Sequence, residues 1–312
     1  MNTFTKISPA ITLLAQETES CMFEKGSRGK LVARLLLTLA HDRAVRQLAL
    51  KDSSPSLVSL WRINWSQPIP TTNFLAGLFS RPVVDAILSC TPENVRNDTT
   101  KLKDRFAGAF VRFSHFILMG ELHTIDTHLG LAGAARGFAI QVSHQEEQYD
   151  IAIPVIMMDG AFTESDITFI LIQVKDRVKP DRVDINAGKI PGFFTLNNTN
   201  PYITVCMELG AAKSDVQVKV SGRSATSRVT NPHALYAFTV YGHSADVYSV
   251  VSSTEDEKNL GGMLGVSTLS EHPRQHEDNI RLVRRMKHSW VRGVDCFDWI
   301  EDPVLRTPKA LP

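Results

Sequence analysis

The chain has 312 residues, 43% of them hydrophobic and 21% charged, and its 34 Lys plus Arg nearly balance 33 Asp plus Glu for a net charge of +1. That balance excludes a globally basic binder and a charged disordered tail, while the length allows one large domain or two small ones with a sizeable core. Four cysteines (Cys21, Cys90, Cys206, Cys296) are too few and too scattered for a disulfide framework or zinc knuckle; with no long apolar run and no signal-like start over Met1 to Ser20, they point to an intracellular protein of cytoplasm or nucleus without a membrane segment.

In chain order, Gly29 to Leu48 places Leu31, Leu35 and Leu39 beside Val32, Leu36 and Ala40, which is helical spacing. The Gly26-Ser27-Arg28-Gly29-Lys30 stretch before it lacks full phosphate-loop spacing and follows no strand, so it reads as a helix start. Asp52 to Pro70 is rich in Ser and Pro and reads as a loop. Thr72 to Ser89 reads as two helices, with Pro82 in the first turn of the second. Lys101 to Met119 predicts another helix, its stripe of Leu102, Phe106, Phe110, Phe113 and Ile117 belonging to the core.

A Gly/Ala-rich helix near Asp126 to Ala135 then precedes a series of β-type runs. These are Phe138 to Ser143, Tyr149 to Met158, Thr168 to Lys175, Tyr202 to Leu209 and Leu235 to Tyr241, with Asp246 to Val251 fitting a sixth. Phe169 to Ile172 is apolar on both faces, as in a central strand covered on both sides. Glu271 to Val291 predicts a C-terminal helix. The pattern divides the chain into an N-terminal helical region (1–120), a mixed α/β core (121–252) and a C-terminal helical extension packed on it (253–312).

The chemistry-bearing pattern lies on two of the strands. Asp150 opens one of them, and Ile172-Gln173-Val174-Lys175 closes the next. The link from Asp159 to Ile167 is shorter than the dozen or so residues a parallel crossover needs, so the two strands pair antiparallel and Asp150 lies near Lys175. Alternation places Phe169, Leu171, Gln173 and Lys175 on one face. A Lys closing a buried strand needs a partner or a solvated cleft. Phosphodiester hydrolysis is one reason to keep it: a carboxylate binds Mg²⁺ through oxygen, and an ammonium stabilises the charge that develops on the phosphoryl group. A structural ion pair of Asp150 with Lys175 is the other.

An Asp, then Gln-x-Lys on the following strand, resembles the signature of the PD-(D/E)xK nuclease superfamily, in its Mrr-type branch. The resemblance implies a restriction-endonuclease-like α/β fold with a mixed sheet flanked by an N-terminal helical region and a C-terminal helix. It implies a metal-dependent nuclease using Mg (or Mn), with Asp150 on the metal, Gln173 orienting the metal or its water, and Lys175 stabilising the transition state. A further acid is expected on or near the preceding helix, and Glu121, Asp126 and Glu147 are the candidates. Across most of its length the chain also resembles uncharacterised basidiomycete proteins related to Crinkler-type effector nuclease-like domains, in the run from Arg28-Gly29 to Arg34-Leu35-Leu36-Leu37 and in Ile172-Gln173-Val174-Lys175, Met207-Glu208-Leu209-Gly210 and Ser270-Glu271-His272-Pro273-Arg274. Those relatives often carry Glu where Lys30 stands, and Gln173 is neutral, so the resemblance equally implies a non-catalytic descendant that binds nucleic acid or a protein partner.

The charge distribution fits either a nucleic-acid partner or two solvated faces that balance each other. Gly137 to Val174 holds six acids and no Lys or Arg, whereas Lys175 to Arg228 holds nine bases and five acids. Arg177, Lys179, Arg223 and Arg228 are the residues expected along a phosphate track. His115, His123 and His128 lack the spacing of a helical metal pair.

Overall fold

The computed structural model describes residues 10–15, 25–52, 63–95, 97–119, 125–142, 149–157, 162–177, 185, 193–194, 199–212, 214–218 and 233–265. Helix α1 (Lys25–Asp52) contains the helix expected over 29–48 and begins one residue before the Gly-Ser-Arg-Gly-Lys stretch. Val32, Leu36, Leu37, Ala40, Ala44 and Val45 are wholly buried along it, the stripe of a helix that covers a sheet. The expected helix pair follows as α2 (Thr71–Leu78) and α3 (Arg81–Leu88), with Pro82 at the start of α3, where its missing N–H costs nothing.

Nine strands form one mixed sheet: β1 (Ile69–Pro70), β2 (Ala109–Val111), β3 (His115–Leu118), β4 (Phe138–Gln141), β5 (Ile151–Met157), β6 (Ile167–Lys175), β7 (Tyr202–Glu208), β8 (Asp215–Val218) and β9 (Leu235–Tyr241). The order is β1-β2-β5-β6-β7-β9-β8, with β4 also beside β5 and β3 beside β4. Strands β5 and β6 are antiparallel as the short link requires, Ile151 opposite Ile172. Strands β6, β7 and β9 run parallel, and β8 closes antiparallel on β9. The stretch 176–201 is long enough for the crossover between β6 and β7.

Alternation along β5 and β6 builds two cores. Ile151, Ile153, Ile170, Ile172 and Val174 pack with α1 and α2, while Ala152, Phe169 and Leu171 pack toward α5 (Thr127–Arg136). Helix α5 lies close on the sheet because it carries glycine there. A Cβ at Gly133 would come within 2.9 Å of Pro154 Cγ, and one at Gly130 would strike Phe169. Gly137, at φ 75°, ends α5 in the left-handed cap that glycine adopts without strain.

Lys101 to Met119 is not one helix. It makes α4 (Leu102–Arg105), then β2 and β3. Short apolar runs such as Ala-Phe-Val fit either period, and the open ladder positions beside β5 and β4 decide for strand. The helical region expected over 1–120 therefore also supplies β1, β2 and β3. Asp246 to Val251 is a turn with a single bridge, Phe79 to Tyr248, rather than a sixth strand. Strand β8 was not foreseen, whereas helix α6 (Thr254–Gly265) falls at the start of the helical extension expected over 253–312. Helix α6 begins after Ser253, whose Oγ accepts from Asp256 N at 3.1 Å. The helix expected over Glu271 to Val291 lies outside the described residues. No helix among the described residues is long and apolar enough to cross a membrane.

His41 on α1 is buried against Phe113, ring centroids 4.9 Å apart. Burial pushes its pKa down to about 4. The unfolded chain then binds a proton near pH 6.5 that the folded chain refuses, so stability falls as pH drops from 6.5 toward 4, by about 3 kcal/mol in total. Urea melts over that range should show the loss in the parent and a flatter profile in His41→Phe. Parallel profiles would show that another group is responsible.

Candidate functional site

Asp150 lies one residue before β5. Its N–H donates to Ile172 O at 2.8 Å, and its C=O accepts from Val142 N at 2.9 Å. Its carboxylate lies in the ladder: Oδ2 accepts from Val174 N at 2.7 Å, standing where a strand carbonyl would. The other oxygen, Oδ1, is 2.8 Å from Lys30 Nζ, with the two side chains only 12% and 8% exposed. Lys30 arrives from the first turns of α1, which approach the end of β6. A Cβ at the neighbouring Gly29 would lie 3.3 Å from both Val174 Cγ1 and Asp176 Cβ.

The adjacency of Asp150 to the end of β6 is as expected, but the partner is not. Asp150 pairs with Lys30, and among the described residues Lys175 makes no ion pair. The reason is direction: the Asp150 carboxylate lies in the plane of the sheet, within reach of α1, whereas Lys175 projects from the face opposite Val174. Lys175 is half-buried there. Gln173 is buried on the same face, two residues back.

Across the parallel ladder Gln173 stands beside Cys206, and Lys175 beside Glu208. Glu208 is wholly buried. Arg177 takes both its oxygens, Nε at 3.0 Å from Oε2 and Nη2 on Oε1, and the Cys206 thiol donates to Oε1 at 3.9 Å. The sequence carries a signal for this acid too: like Lys175, it is a charge closing an apolar strand. Gly210 keeps the turn after β7 tight, since a Cβ there would stand 2.7 Å from Arg177 N. Arg177, expected on a phosphate track, is thus held by Glu208 with its side chain 31% exposed.

Asp126, expected as a metal ligand, is instead the N-cap of α5, its Oδ1 accepting from Leu129 N at 2.8 Å. A short acid at that position satisfies one of the free N–H groups of the helix start. Glu121, Glu147, Lys179, Arg223 and Arg228 lie outside the described residues. Among the described residues no three His, Cys, Asp or Glu side chains converge as metal ligands. Mg²⁺ and Mn²⁺ ask for several oxygens, and Asp150 has one oxygen on an ammonium and the other on an amide N–H, so the donor set among the described residues does not fit either ion. At the end of β6 stand the half-buried Lys175 ammonium, the Arg177 guanidinium on Glu208, and the Asp176 carboxylate between them in sequence.

No family model, curated protein or solved structure matches the chain.

Removing one member of a buried pair leaves the other charge stranded. Lys30→Ala and Asp150→Asn should each cost about 3–5 kcal/mol, whereas Lys175→Ala should stay within about 0.5 kcal/mol. Thermal melts of the three variants decide this. Equal, small shifts for all three would remove the Lys30 pair from the account of stability.

Proposed function

We propose that the chain is a nucleic-acid-binding scaffold of PD-(D/E)xK nuclease type in which phosphodiester cleavage has been silenced. The observation that carries this reading is the Lys30 ammonium 2.8 Å from Asp150. It brings to the carboxylate the positive charge that a divalent cation would bring, and with Val174 N on Oδ2 both oxygens already have a partner.

The nuclease-like part of the reading, a restriction-endonuclease-like fold, is supported by the order of elements. A helix, α5, comes first. Asp150 and Gln173-Val174-Lys175 then sit at adjoining ends of two consecutive antiparallel strands, and a parallel strand follows a long connection. The nucleic-acid partner is supported by Lys175 and Arg177 at that end of the sheet rather than by net charge. The free thiols of Cys90 and Cys206 suit a reducing compartment, cytoplasm or nucleus.

A metal-dependent hydrolase is the second reading, and one observation favours it: Lys175 closes β6 without an ion pair among the described residues, as a transition-state cation would. Purified protein incubated with plasmid, single-stranded DNA and RNA in Mg²⁺, Mn²⁺ or EDTA separates the two. The silenced scaffold should cut none of them and should bind equally well in EDTA. Metal-dependent cutting by the parent, abolished in Lys175→Ala, would establish the hydrolase instead.

A further inference from the structure

The ladders β6–β7–β9–β8 align the outermost residues of four strands on the face away from α1. Lys175 stands beside Glu208, Glu208 beside Tyr241, and Tyr241 beside Asp215. One step back the same face carries Gln173, Cys206 and Thr239, and a further step back it carries Leu171, Thr204 and Ala237. The face thus changes from largely apolar to polar toward the carboxyl ends of three parallel strands. Open α/β sheets bind their ligands outside those ends.

Besides the half-buried Asp215, whose Oδ1 accepts from Val216 N at 2.8 Å, three groups reach solvent at this edge. Lys175 offers a cation. Glu208, next in line, is wholly buried beneath the partners that hold it, and Arg177 contributes a guanidinium fixed by a two-point ion pair and still 31% exposed. Tyr241 offers a half-buried phenol ring whose O–H donates to Gln217 Oε1 at 3.1 Å. Burial, with the neighbouring Cys206 and Glu208, raises the pKa of Tyr241, so the phenol remains a donor. Lys175 and Tyr241 are two strand spacings apart, about 10 Å.

A cation for a phosphate, with a fixed planar guanidinium and an aromatic ring for base faces, is the chemistry of single-strand recognition. Resting on the nucleic-acid-binding reading above, we propose that this row is a single-stranded nucleic-acid platform, with a phosphate on Lys175 and a base stacked on Tyr241, and with Glu208 acting as the positioning residue for Arg177. A duplex keeps its base faces stacked inside and cannot use the ring in this way.

Fluorescence anisotropy with a labelled single-stranded oligonucleotide of about 12 nucleotides, in EDTA, tests the platform. Tyr241→Ala should weaken binding about tenfold, the loss expected for one base stack. Tyr241→Phe, which keeps the ring and gives up the Gln217 hydrogen bond, should bind as the parent does. Lys175→Gln should lower the slope of log affinity against log salt by about 0.7. Equal binding by the parent and Tyr241→Ala, or tighter binding of the matching duplex, would overturn the platform and leave the silenced-scaffold reading standing. No binding by the parent at about 50 mM salt would overturn both. A parent that cuts in Mg²⁺ yet shows this Tyr241 dependence would remove the silencing and keep the platform.

Discussion

The ion pair between Lys30 and Asp150 joins three elements that are far apart in sequence: the start of α1, the entry to β5 and the end of β6. Asp150 spends one oxygen on the Lys30 ammonium and the other on a backbone N–H of β6. A charge in so dry a place is costly alone, and the arrangement is stable because each member satisfies the other. It also decides how α1 sits on the sheet, since the glycine beside Lys30 lets the helix backbone come up to Val174 and Asp176.

The same contact governs the chemistry open to this end of the sheet. The Asp150 carboxylate bridges an ammonium and an amide N–H, and Asp126, one of the three acids expected to assist it, is committed to capping α5. The second buried acid, Glu208, is neutralised in turn by Arg177. The two buried carboxylates here, Asp150 and Glu208, therefore serve to place cations. Their positions leave Lys175 at the end of β6 and Arg177 just beyond it, held on Glu208.

The polar groups gather there because of how the strands are written. Strands β6 and β7 are apolar almost throughout and change only in their last residues, to Gln173 and Lys175 and to Cys206 and Glu208. Parallel pairing brings these endings together at one edge, and alternation puts them on one face. A polar edge on an apolar sheet results from placement in the chain and needs no long-range design beyond the register.

Much of the fold was legible in the sequence. Period and punctuation located α1, the α2–α3 pair, α5, the strands β4 to β7 and β9, and the length of one link required β5 and β6 to be antiparallel. Local signals failed where two periods fit the same short apolar run, as at Phe106 to Leu118, and where a strand was short and polar, as at Asp215 to Val218. At the site, the sequence identified Asp150, Gln173 and Lys175 as residues that end strands near one another. It could not say which cation would hold Asp150, because Lys30 lies 120 positions away and its nearness depends on how α1 crosses the sheet. Nor could it align Lys175 with Glu208 and Tyr241, since strand order and register are properties of the assembled sheet. Side-chain type and spacing are local and can be read along the chain, but the partner of a buried charge is chosen by packing.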